Sequence, residues 1–170
     1  MSNFWVRQIL LFILLVFLQV MLFNKIHLFG FATPLLYIYF AIKLPIDMSR
    51  NAVVALAALM GLLIDIFSYT LGLNMLAMTV MGFSRFYLLK LFGPRDVFEA
   101  NVPSFSTFGK PLFLRYTASM TLCHHIILFT TESLSLFDPL MLLLRIVGSF
   151  ILTMILIFAF EIINFDFLKK

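Results

Sequence analysis

The stretch GLLIDIFSYTLGLN, Gly61 to Asn74, decides the fold and raises its first question. Its first half is apolar enough to lie in lipid, yet Asp65 sits inside it. Five residues later the chain turns at Thr70-Leu71-Gly72, where it carries no charge. An acid near the centre of a membrane helix costs about 2.5–3.5 kcal/mol on insertion, so Asp65 needs a partner or a water-filled cavity.

The rest of the chain places this stretch in a membrane. Of 170 residues, 63% are hydrophobic and 12% charged, and the mean hydropathy is +1.10. A soluble domain of this size has too much surface for its volume to hide so many apolar side chains. Lipid is therefore the solvent for most of the chain, and a single membrane domain over residues 1–170 is the simplest organisation. Cys123 stands alone, which excludes an internal disulfide and a thiolate metal site. The net charge of +4 is spread between apolar runs, with no basic patch or aromatic RNA-binding motif, so nucleic acid is not an expected partner.

Six apolar segments can be read, at about 5–23, 28–46, 51–69, 73–91, 112–131 and 140–163. Most approach the roughly 20 residues needed to cross the hydrocarbon as a helix, the form that satisfies the backbone internally. The fold expected is an all-α six-helix bundle. Arg7 precedes the first apolar run, but Asn24-Lys25-Ile26-His27 offers no small-residue cleavage site, so the first span is read as uncleaved. The second span is short. Thr33-Pro34 reads as a helix start and Pro45 as a stop, leaving about 11 helical residues. Either Pro34 kinks a longer helix, or Leu28–Thr33 enters the membrane non-helically, shielded by protein. With six spans, Arg7, Lys43, Arg50, Lys90, Arg95, Lys110, Arg115, Lys169 and Lys170 fall on one side and only Lys25 on the other. The positive-inside bias then predicts cytoplasmic termini and a cytoplasmic loop at 93–111.

Helical spacing places the intramembrane polar residues on faces. Ala57, Gly61, Asp65 and Ser68 share one, as do Asn74, Met78, Gly82 and Arg85. Thr117, Thr121, His125, Leu128 and Glu132 align in the fifth span, with His124 beside them, and Arg145, Ser149, Thr153 and Glu161 in the sixth. The leading expectation is structural: these charges neutralise one another and set helix register. Arg145 is expected to pair with Asp65 or Glu132 near a histidine, and Arg85 to snorkel toward the cytoplasm. A proton or ion path through Asp65, His125 and Glu132, a metal site and a ligand cavity are the alternatives. His124 and His125 are adjacent and point about 100° apart, unlike a helical zinc pair. No GxSxG, HExxH, P-loop or GxGxxG occurs, so no catalytic residue, cofactor site or metal site is assigned. The first two spans, poor in internal polar groups, are expected to flank the bundle and to offer a partner face at Gln19 and Tyr39.

Several segments carry a family resemblance. GLLIDIFSYTLGLN, with its Asp65, Gly72 and Asn74, resembles the rod shape-determining protein MreD family. So do LQVMLFNKIHLFGFATPLLYIYFAIKLP, RFYLLKLFGPRD and HHIILFTTES, especially in the family's Bacteroides-like branch. The likeness runs from about Gln19 to the end of the sixth span. It implies a six-helix fold similar to transporter S components, in the bacterial inner membrane. It also implies a scaffolding role beside an MreC-like bitopic protein, with a RodA-type glycan polymerase, a class B penicillin-binding protein and MreB filaments, in lateral-wall peptidoglycan synthesis and rod shape. The alternative is an S-component-like small-molecule (vitamin) uptake subunit. Such subunits dock their energising partner through an Ala-xxx-Ala motif on the first helix, and the first span here has no alanine.

Overall fold

A computed structural model of the chain describes residues 2–28, 30–92, 102–133 and 138–167, excepting the side chains of 2, 3 and 164–167. Among these residues the protein is all-helical, with five helices long and apolar enough to cross a membrane. They are α1 (Ser2–Met21), α3 (Arg50–Ser68), α4 (Leu73–Phe92), α5 (Phe105–Glu132) and α6 (Pro139–Phe167). Two short helical elements, a 3-10 turn at Phe23–Lys25 and α2 (Ile38–Ile42), lie between α1 and α3 along the chain. The helices α3, α4, α5 and α6 pack in sequence order, and α1 lies against α3 and α2.

The second segment crosses, but not as a long helix. Residues 32–35 are irregular, and α2 has only five residues. The expected helix start at Thr33-Pro34 is not used. A residue before proline is biased away from helical geometry, and the donors that would begin the helix are taken by side chains. Thr33 N–H donates to Ser149 Oγ at 3.0 Å, Leu35 N–H to Thr153 Oγ1 at 2.9 Å and Leu36 N–H to Gln19 Oε1 at 2.9 Å. Gln19 Nε2 also donates to Pro34 O at 3.1 Å. Farther along, Gln8 Nε2 reaches Lys43 O at 3.2 Å. From Gln19 to Gln8, α1 rises about 16 Å, at 1.5 Å per residue. Its neighbour runs from the irregular residues 32–35 through a turn into α2, which is capped at Lys43, so only the first part of the crossing lacks helical bonds. Such backbone survives at membrane depth only inside protein, and residues 34–42 are all buried. The crossing is therefore the centre of the bundle, which corrects the expectation that the first two spans flank it.

The polar contacts set the ends. Gln8 near the start of α1, Lys43, the start of α5 and Glu161 of α6 meet at one end. Arg50, first residue of α3, lies there too, stacked over Phe83 of α4 at 3.5 Å. At the opposite end Asn24 Nδ2 donates to Ser68 Oγ at 2.6 Å, and Arg145 meets Glu132. The start of α1 and the last third of α6 thus share the end where the basic residues gather. Of the expected loop 93–111, residues 93–101 lie outside the described residues. Its remainder already folds: Ser104 and Thr107 form a capping box at the start of α5, and Gly109 (φ 70) bends the chain before Pro111.

Small residues set the α3–α4 spacing, as the aligned faces predict. A Cβ on Gly61 would lie 2.5 Å from Asn74 O, and one on Gly82 3.0 Å from Ala57 Cβ. Packing of this closeness is how membrane helices gain contact without a hydrophobic driving force between them.

Candidate functional site

Asp65 answers its own question through the turn that follows it. The helix α3 ends as Tyr69 takes a left-handed conformation (φ 55) and its N–H donates to Asp65 O. Thr70 N–H donates to the same carbonyl at 3.1 Å. Gly72 (φ 79) then opens α4, its carbonyl accepting from Leu76 N–H at 2.9 Å. Gly72 thus holds the N-cap position, where a side-chain oxygen ordinarily accepts from the second or third N–H of the helix. Glycine has no side chain, and Asp65 supplies the missing acceptor from the preceding helix. Its Oδ1 accepts from Asn74 N–H at 3.1 Å and its Oδ2 from Met75 N–H at 2.8 Å. Asn74 Nδ2 (2.8 Å) and the Thr70 hydroxyl complete the set on Oδ1. A carboxylate at a helix N-terminus is also favoured by the helix dipole.

From Asn74 the network continues inward. With its amide nitrogen on Asp65, Asn74 turns Oδ1 to the Tyr37 hydroxyl, which donates at 2.6 Å. The Tyr37 proton being used there, His124 Nε2, 3.0 Å from the same oxygen, is the donor to it. His125 belongs to a separate relay. Its Nδ1 faces Thr121 O at 2.8 Å and must carry the proton, so Nε2 accepts from Thr153 Oγ1 at 3.3 Å. Thr153 in turn accepts from Leu35 N–H. The two histidines therefore serve two different strings of bonds, one ending at the head of α4 and one at the irregular crossing.

The expected ion pairs are redistributed. Arg145 pairs with Glu132 at 3.1 Å, both partly exposed, and not with Asp65 or a histidine. Arg85 does not snorkel: it is 2% exposed and donates to Leu44 O at 2.5 Å and Pro45 O at 3.2 Å. Those carbonyls end the crossing, where Pro45 brings no N–H and cannot continue a helix. Gln19 and Tyr39, expected to face a partner, are both fully buried. Gln19 binds the crossing and Asn24 Oδ1, and Tyr39 donates to Glu161 Oε2 at 2.7 Å. They point inward because the crossing beside α1 requires acceptors and donors that lipid does not provide.

Sequence reasoning missed the Lys43–Glu161 pair. Lys43 Nζ lies 3.1 and 3.0 Å from the two oxygens of Glu161 and 2.8 Å from Pro103 O, while Phe105 N–H donates to Glu161 Oε1 at 3.2 Å. Glu161 lies on the expected line of α6, with Arg145, Ser149 and Thr153. Lys43 entered that reading only as one of the cations that set orientation, so no partner was sought for it. Among the described residues no three His, Cys, Asp or Glu side chains converge as metal ligands would. Comparison with family models, curated proteins and solved structures finds no match to this chain.

Proposed function

We propose that the chain is a membrane scaffold of the MreD kind, binding an MreC-like bitopic partner and supporting lateral-wall peptidoglycan synthesis and rod shape from the bacterial inner membrane. The reading rests on the sequence resemblance and on one observation: Asp65, His125 and Glu161, buried side chains that could do chemistry, are engaged in holding backbone. Asp65 caps α4, His125 and Thr153 serve the crossing, and Glu161 ties Lys43 to the start of α5. A protein built so acts through its surface. The exposed apolar flank of α1, including Ile13 and Phe17, suits a partner's membrane helix. On this reading MreB filaments, the RodA-type polymerase and the class B penicillin-binding protein are reached directly or through the MreC-like protein.

Depletion in the native bacterium, with photocrosslinkers at Ile13 and Phe17, tests the proposal. Rounded cells and capture of the MreC-like protein are expected. Normal rods after depletion overturn it, and retention of a vitamin by the purified protein would put the uptake subunit in its place. Cytoplasmic termini are part of the same proposal, and reporter fusions at each terminus read them directly.

A further inference from the structure

A cleft of about 630 Å³ lies at the basic end, between the start of α1 and the hooked start of α5. Its wall has two parts. Leu10, Leu11 and Leu14 of α1 form an apolar ramp, and Leu10 and Leu14 are also exposed on the flank that faces the bilayer. Arg7, Gln8 and Ser106 lie where the ramp meets the end of the bundle. Lys43 borders the cleft but is matched by Glu161, whereas Arg7 is in no ion pair among the described residues. Among the described residues the cleft therefore carries one unmatched positive charge.

Gln8 is the second, independent sign of a ligand. Its Nε2 is used on Lys43 O, but its Oε1 is buried with no hydrogen-bond donor among the described residues, on a residue only 8% exposed. A buried acceptor of this kind calls for a donor beyond the described residues. A cation, a hydroxyl at Ser106, an acceptor lacking its donor and an apolar ramp open to the bilayer together describe an amphiphile.

We propose that this cleft binds one anionic phospholipid with a hydroxylated headgroup, drawn from the leaflet at the basic end. Its phosphate sits on Arg7 and Ser106, a headgroup hydroxyl donates to Gln8 Oε1, and one acyl chain lies along Leu10 and Leu14. A soluble anion would satisfy Arg7 but leave the ramp empty. This goes beyond the scaffold reading and is independent of it.

Native mass spectrometry of the full-length protein released from detergent tests the site, with phosphatidylglycerol, phosphatidylcholine of the same chains and inorganic phosphate as probes. Phosphatidylglycerol is expected to be retained about fivefold or more over phosphatidylcholine. Arg7→Gln, which breaks no ion pair among the described residues, should abolish that preference at unchanged thermal stability. Leu14→Asn should weaken both lipids. Arg115→Gln, an exposed cation of α5 outside the cleft, should change nothing. Equal retention of the two lipids overturns the proposal. So does inorganic phosphate displacing phosphatidylglycerol as well as the lipid itself does, or Arg115→Gln matching Arg7→Gln.

Discussion

Replacement of Asp65 by alanine removes the acceptor for two backbone N–H groups, those of Asn74 and Met75, in a residue 3% exposed. Each unsatisfied buried donor costs about 1–3 kcal/mol, and loss of an ordinary N-cap side chain about 0.5–2 kcal/mol. The two donors together are expected to cost about 2–6 kcal/mol, with Asn74 Nδ2 and Thr70 losing their partner besides. Asparagine at the same place keeps one oxygen but turns an amide nitrogen toward Asn74 N–H or Met75 N–H, donor against donor, so about half the loss is expected. The single thiol Cys123 is partly buried in α5 and serves as the reporter. In detergent, a thiol-reactive dye reports heating as the bundle opens. At about 2–4 °C per kcal/mol for a chain of this size, Asp65→Ala should lower Tm by about 4–24 °C and Asp65→Asn by about half as much. Arg145→Ala is the discriminating control, since its partner Glu132 is partly exposed and such pairs are worth about 0–1 kcal/mol. An alanine variant within about 2 °C of the parent refutes the cap, and an Arg145 loss equal to that of Asp65 restores the ion pair in its stead.

The same assay reads three further changes. Gln19→Leu leaves Leu36 N–H and Pro34 O without partners and should cost about 2–4 kcal/mol, against about 1 kcal/mol for Gln8→Leu, which removes a single bond to Lys43 O; equal losses would mean that the crossing does not depend on Gln19. Lys43→Met and Glu161→Leu should each cost about 3–5 kcal/mol by leaving a charge without its mate, and the double change should recover most of it. Gly61→Ala should destabilise more than Gly82→Ala, since its Cβ meets the backbone of the first turn of α4 and not a side chain; the reverse order would place the close approach elsewhere.

How much of this was legible in the sequence depended on what kind of partner each residue has. Apolar length showed five of the helices, and helical spacing put Gly61 and Gly82 on the faces where α3 and α4 meet, because both follow from a residue's own chemistry and the helix period. Arg145 with Glu132 was within reach because both are charged side chains near facing helix ends. The cap at Asp65 was harder. Gly72 before a helix is a visible signal, but it reads as a turn, and nothing in spacing says that a carboxylate seven residues earlier will fill the place its side chain leaves empty.

The larger misreading had one cause. Polar residues in a membrane chain were matched against one another, when most of their partners are main-chain groups, which every residue carries and no pattern marks. Once residues 32–45 are seen to cross without a long helix, the roles of the polar side chains follow from arithmetic on backbone donors and acceptors. Thr33, Leu35 and Leu36 have N–H groups that no helix turn can use, and Ser149, Thr153 and Gln19 are the acceptors that meet them. Leu44 and Pro45 have carbonyls at the far end, and Arg85 is the donor that meets those. Substitution of the crossing by a regular helix would make these side chains superfluous, and buried without partners they would then be a cost. The polar interior and the irregular segment therefore require each other, which is why neither could be placed from the sequence while the second span was taken for a helix.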